Sequence, residues 1–273
     1  PERFFQCYIA EQNMVGMATG FAASGHVPFA ATFGCFLTRA YDFIRMAAIS
    51  GSNIKLAGTH AGVSIGEDGP SQMALEDLAM TCAEPNFTVL YPCDATSAWR
   101  ATELCLATPG PCYLRLARPA SPVIYGRDEQ FAVGRAKVLR QSDRDRVLVV
   151  AAGITVFEAL AAHDELAREG VAVRVIDLFS VQPVDRETLT ASARAVNGLV
   201  ITVEDHYEHG GLGDAVASAL AEQRPRIVKL AIAQVPRSGK GSALMERFGI
   251  SARHIVAAVR GLLAAGLRAG DPQ

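Results

Sequence analysis

The sequence predicts an α/β chain of two successive units, each a mostly parallel sheet flanked by helices. Three observations carry this expectation. Short apolar runs alternate with segments of helical period along nearly the whole chain, the rhythm of parallel strands joined by crossover helices. That rhythm breaks once, from Ser121 to Arg144, where proline, glycine and charge predominate. At 273 residues, half of them hydrophobic, the chain can bury a core in each of two domains.

In the first unit, Arg3–Ala10 (RFFQCYIA) reads as a short apolar strand. Glu11–Ala23 follows with helical spacing, placing Met14, Met17 and Phe21 on one face until Gly25 breaks it. Val27–Thr32 and Ile54–Gly58 read as strands around a helix within 33–49. Thr59–Ser71 is glycine-rich and reads as a loop. A helix starts near Leu75. Thr88–Tyr91 is a strand stopped by Pro92, Asp94 is a suitable N-cap for a helix to Ala107, and Cys112–Leu116 is the next strand.

In the second unit, Arg146–Ala151, Val171–Leu178, Leu199–Val203 and Ile227–Ile232 read as strands. Thr155–Arg168, Gly211–Glu222 and Ala252–Ala265 read as helices. The two units share this rhythm without a residue-level repeat.

Composition excludes several classes. A net charge of −2 offers no surface for nucleic acid or an anionic membrane. The longest apolar stretches are short or interrupted by charge, so no membrane span is expected. The six cysteines include no CxxC pair and read as reduced thiols, which with the lack of a leader pattern at Pro1-Glu2-Arg3 leads to a cytoplasmic expectation. No zinc-type ligand spacing, P-loop or GxSxG motif occurs, and no metal ligand is assigned.

Ligands of open parallel sheets sit beyond the carboxyl ends of the strands. That rule selects Glu11, the segment after Thr32, the loop 59–72 and Arg115–Pro119. Glu11 has two readings: a favourable charge at a helix N-terminus, or a carboxylate that hydrogen-bonds a ligand nitrogen. Phe33 and Phe36 are either core or a stacking wall for a flat heterocycle. The polar loop holding His60, Glu67, Asp68 and Gln72 suits a polar or anionic substrate. Arg115 and Arg118 could each hold a phosphate or form a structural salt bridge. Glu204-Asp205-His206 with Gly210-Gly211-Leu212-Gly213 lacks the full dinucleotide pattern and reads as a structural turn or subunit contact.

Four segments together resemble transketolase, and specifically its animal branch: Ala10-Glu11-Gln12-Asn13-Met14, Ala31-Thr32-Phe33, Gly66-Glu67-Asp68-Gly69-Pro70-Ser71-Gln72-Met73 and Val235-Pro236-Arg237-Ser238-Gly239-Lys240. Gln72, where many microbial members carry histidine, sets the branch. The resemblance implies a thiamine-diphosphate pyrimidine-binding domain over 1–125, N-terminally incomplete, a linker over 126–135 and a transketolase C-terminal domain over 136–273. It implies that the diphosphate-binding domain is absent from this chain.

It also implies transfer of a two-carbon ketol unit from a ketose phosphate to an aldose phosphate in the pentose phosphate pathway. Glu11 and His60 would be the catalytic residues. Glu11 would hydrogen-bond the aminopyrimidine and favour its imino tautomer, with Phe33 and Phe36 packed around that ring. His60 and Arg118 would hold the sugar phosphate, Asp68 a substrate hydroxyl, and Gln72 would line the same channel. The cofactor would be thiamine diphosphate, with Mg²⁺ or Ca²⁺ bound through the diphosphate by ligands outside this chain. The partners would be sugar phosphates and either a homodimer of the full-length enzyme or a separate diphosphate-domain chain. Two other readings stay open: part of another thiamine-diphosphate enzyme, of the deoxyxylulose-phosphate synthase or 2-oxoacid dehydrogenase β type, or a non-catalytic dimerisation or regulatory module.

Overall fold

Two five-stranded sheets, each mostly parallel and flanked by helices, organise the chain in a computed structural model that describes residues 2–269. Pro1 and residues 270–273, which the expected domain limits include, lie outside the described residues.

In the first unit the elements run α1 (Glu11–Ala23), β1 (Phe29–Phe33), α2 (Tyr41–Ile49), β2 (Lys55–Thr59), α3 (Asp77–Cys82), β3 (Thr88–Leu90), α4 (Ala95–Ala107) and β4 (Cys112–Arg115). The second unit runs β5 (Lys137–Arg140), β6 (Val147–Ala151), α5 (Thr155–Arg168), β7 (Val173–Asp177), β8 (Ser180–Gln182), α6 (Arg186–Ala195), β9 (Leu199–Tyr207), α7 (Leu212–Ala219), β10 (Arg226–Ile232), α8 (Gly241–Arg247) and α9 (Ala252–Ala269).

Local signals act as their chemistry dictates. Asp94 caps α4 through a reciprocal capping box with Ser97. α1 begins at Glu11 and α5 spans the expected Thr155–Arg168. Residues 3–10 are a correction: they form turns and irregular backbone, not a strand. Tyr8 adopts φ 52°, which breaks extension, and Phe4, Tyr8 and Ile9 are more than 70% exposed, so no packing holds the segment flat.

The first sheet has the order β1-β2-β4-β3-β8. Its β1–β4 strands are parallel, while β8 comes from the second half of the chain and pairs antiparallel with β3. The second sheet has the order β10-β9-β6-β7-β5, with β5 antiparallel at its edge. The main apolar cluster likewise draws on both halves, joining Val15, Ile44 and Tyr91 to Leu148, Leu178 and Leu212. The 126–135 connection is packed down: Phe131 meets Tyr125 and Phe179 edge-on, at centroid distances of 4.9 and 4.8 Å.

By length and composition the stretch Gly241–Ala265 could cross a membrane. It is two helices interrupted around Gly249, and α9 turns Ile255, Val256, Val259 and Leu262 into the second core.

Candidate functional site at the carboxyl ends of the first sheet

The register of β1 and β2 sets Phe33 beside Thr59, so the residues that follow both strands emerge together. Phe33 stacks on Phe36 at 5.1 Å and on the His60 ring at 3.6 Å, with interplanar angles of 5° and 14°. The three rings form one flat-faced stack at the sheet's carboxyl edge. His60 sits at φ 59°, and its Nδ1 lies 2.9 Å from Thr59 Oγ1, which leaves Nε2 for other partners. Partial burial, helped by the Arg118 charge, lowers the His60 pKa, and Asp68 opposes this. The imidazole is therefore neutral at neutral pH.

Arg118 donates from Nη1 to Asp68 Oδ2 at 2.8 Å. The guanidinium is about half exposed and has further N–H donors free for an anion. Gln72 shares the Asp68 loop, where its backbone N–H donates to the Gly69 carbonyl at 3.1 Å. Among the described residues its side chain makes no hydrogen bond to the others.

Glu11 opens α1 and is buried. Its Oε2 has no hydrogen-bond partner among the described residues and lies 3.9 Å from Arg39, three residues beyond Phe36. Arg39 was not singled out by sequence reasoning, because one arginine in a helical segment carries no spacing signal. Glu11 also borders a cleft of about 750 Å³ lined by Met14, Phe21, Phe29 and Thr32. Among the described residues no group of three or more His, Cys, Asp or Glu could hold a metal ion.

Arg115 is a different matter from Arg118 and corrects one of its two readings. It is fully buried, which closes it to a phosphate from solvent. Its Nε and Nη2 donate to the Asp77 carboxylate at 2.8 and 3.0 Å, Nη2 also reaches the carbonyls of Ala74 and Asp205, and the guanidinium lies 4.5 Å over the Tyr91 ring. Burial pushes the Asp77 carboxyl up, but the Arg115 charge and hydrogen bonds, with His206 and the Tyr113 hydroxyl, together hold it below its usual range.

From β9 of the second unit, Asp205 accepts from the backbone N–H groups of Val63 at 2.6 Å and Ser64 at 3.1 Å. Gly62, at φ 84°, must be glycine, since a Cβ there would fall 2.0 Å from Asp205 Oδ2. The loop bearing His60 and Asp68 is thus pinned from the other unit. Glu204, Asp205 and His206 are strand residues at the end of β9, not the expected turn, and their contacts are structural: Glu204 accepts from Gly213 N–H at 3.0 Å, and His206 Nε2 accepts from Ala79 N–H at 3.3 Å. Asp77 gave no sequence signal, because an acid in the first turn of a helix is ordinary.

These features define a class: a doubly wound α/β chain whose aromatic stack and half-exposed Arg118–Asp68 pair lie at one sheet's carboxyl edge. Comparison with known proteins narrows it. The model of the transketolase pyrimidine-binding domain matches residues 1–123, and that of the transketolase C-terminal domain matches residues 134–255. The chain belongs to the transketolase family, and that family implies thiamine diphosphate.

Mouse transketolase-like protein 2 is 55% identical over 95% of this chain and 42% of its own length. Human transketolase is 52% identical over 96% of this chain and 42% of its own length. The chain therefore spans less than half of these relatives. A split-gene transketolase solved as an inactive β4 tetramer is 42% identical, with a TM-score of 0.87 over 97% of this chain and 85% of its own. Transketolase from Campylobacter jejuni, 24% identical, shares the fold with a TM-score of 0.79 over 92% of this chain and 38% of its own.

Proposed function

We propose that this chain forms the pyrimidine side of a transketolase site that moves a two-carbon ketol unit from a ketose phosphate to an aldose phosphate. The observation that carries this reading is Glu11. A buried carboxylate with an unpaired Oε2, placed against the segment that bears Phe33 and Phe36, suits a flat heterocycle with a nitrogen to hydrogen-bond. When bound, thiamine diphosphate supplies the carbon centre that accepts the two-carbon unit.

Glu11 holds the ring nitrogen of the aminopyrimidine and fixes the tautomer of that ring. Phe33 and Phe36 wall the ring and exclude water from Glu11. His60, neutral by burial and by the Arg118 charge, can take a proton or a hydrogen bond at Nε2 from a substrate hydroxyl. Arg118 offers its free N–H donors to the sugar phosphate while Asp68 steadies it and faces a hydroxyl, with Gln72 lining the same channel.

The remaining ligands, including those of a diphosphate-bound Mg²⁺ or Ca²⁺, come from a diphosphate-binding domain, either in a longer form of this chain or in a separate partner. The split-gene relative supports a two-chain assembly, and its inactive tetramer supports an inactive isolated chain. The free thiols support a cytoplasmic setting.

The test combines this chain with a family diphosphate-domain chain and follows ketol transfer from xylulose 5-phosphate. Glu11→Gln is expected to lower kcat by at least about a hundredfold, in line with loss of a positioned acid–base group. Unchanged turnover in the variant would exclude the role given to Glu11.

A further inference from the structure

At the amino ends of β2 and β4, on the far side of the first sheet from the candidate site, lies a cluster that ketol transfer does not use. Lys55 opens β2 and is 1% exposed. Its ammonium donates to the carbonyls of Thr108 at 2.6 Å and Gly110 at 2.7 Å, and its remaining contact is Cys112 Sγ at 3.4 Å. Among the described residues it forms no ion pair with a carboxylate. A buried ammonium without a counter-charge is costly, so the neighbouring thiol is the group placed to carry the negative charge.

Cys112 is fully buried and packs in one small apolar cluster with Cys105 of α4. Cys112 Sγ lies 3.9 Å from the Cys105 carbonyl oxygen; the neighbouring Cys105 thiol and the Lys55 charge hold the Cys112 thiol below its usual range, while Cys112 and burial push that of Cys105 above it. Thr108–Pro111, the irregular connection beside the cluster, has Pro109 exposed and Thr108 and Gly110 half-buried, and Gly110, at φ 91°, faces open space.

We propose that Lys55, Cys105 and Cys112 form a thiol modification site at which a hydroperoxide closes a Cys105–Cys112 disulfide. The Cys112 thiolate attacks the peroxide: an S–O bond forms, the O–O bond breaks, and the departing hydroxide or alkoxide takes a proton from solvent, replacing the one Cys112 released on ionising, and leaves as water or an alcohol. The Cys105 thiol then attacks the sulfenic sulfur: the S–S bond forms, the S–O bond breaks, and the departing hydroxide takes the Cys105 proton and leaves as water. The two thiols lose two electrons and the peroxide gains them. Lys55 stabilises the thiolate that starts the sequence.

The experiment treats the intact chain with hydrogen peroxide at neutral pH and maps thiols by mass spectrometry. Both cysteines fall in tryptic peptide 101–115, so the disulfide appears as the loss of two hydrogens from that peptide. Oxidation there is expected before that of Cys93, whose thiol is pushed up by burial and by the facing Asp177 carboxylate. Lys55→Met should slow the reaction at least about tenfold, as the thiolate fraction falls.

Cys105→Ser should leave a sulfenic acid on Cys112 that dimedone traps, and this variant decides the matter if Lys55→Met does not fold. Two free thiols in peptide 101–115 after Cys93 has reacted would overturn the proposal. So would a parental rate in folded Lys55→Met, or no dimedone label on Cys112 in Cys105→Ser.

Discussion

Asp177→Asn should raise stability in alkaline solution and leave it nearly unchanged in mild acid. Asp177 ends β7 with no exposed surface. Its Oδ2 accepts from Tyr125 Oη at 2.8 Å and Cys93 Sγ at 3.5 Å, while Oδ1 has no partner among the described residues. Burial, with Asp94 nearby and only Lys137 as a distant positive charge, raises its pKa from 3.8 to about 7. The folded protein therefore keeps a proton that the unfolded chain releases. Unfolding sheds that proton between the two values, so this group's contribution falls as pH rises from about 4 to about 7 and stays lost above.

At about 1.4 kcal/mol per pH unit the ceiling is ~4 kcal/mol, and relaxation around a buried charge makes ~1–2 kcal/mol the expected gain for Asp177→Asn near pH 8. The assay is urea unfolding of parent and variant at about pH 5 and about pH 8, with equal slopes required for comparison. The difference between parent and variant is the informative quantity, because His206 acts in the opposite sense over part of this range. A variant whose advantage is the same at both pH values would refute an ionised, unpaired Asp177.

Three other outcomes follow from the same physics. Arg115→Met leaves Asp77 buried without its counter-charge and should cost about 3–5 kcal/mol in urea unfolding, part of which Asp77→Leu in the same chain should restore. His206 is held down to about 4 by burial, so its imidazole NMR signals should not shift between about pH 8 and about pH 5.5, and the stability it supports should fade as pH drops from 6.5 toward 4. Glu11→Gln should change unfolding free energy by less than about 1 kcal/mol, since Glu11's nearest charge is an exposed Arg39 at 3.9 Å; a large loss would mark Glu11 as a structural group.

Much of this molecule is legible in the order of its residues, because the properties concerned are local. A helix is set by its period and, where present, its cap, and both lie within one segment: α1, α4 and α5 stand where spacing puts them, and Asp94 caps α4. The loop from His60 to Gln72 declares itself by its glycines and polar side chains, and strand ends locate the site. The resemblance to transketolase rests on such contiguous motifs, and of the residues it names the structure stacks Phe33 with Phe36 and His60 and pairs Arg118 with Asp68.

Tertiary structure decided what depends on partners far apart in the chain. Residues 3–10 are apolar enough for a strand, but strand formation requires a neighbour and a flat backbone, and Tyr8 supplies neither. β8 joins the first sheet although its sequence lies in the second unit, since pairing follows space and not order. Arg115 and Arg118 look alike three residues apart. Burial separates them: one is a buried structural ion pair reaching from Asp77 to Asp205, the other a half-exposed guanidinium with donors left for a ligand. A buried charge is defined by everything packed around it, and that packing is written in no single stretch of sequence.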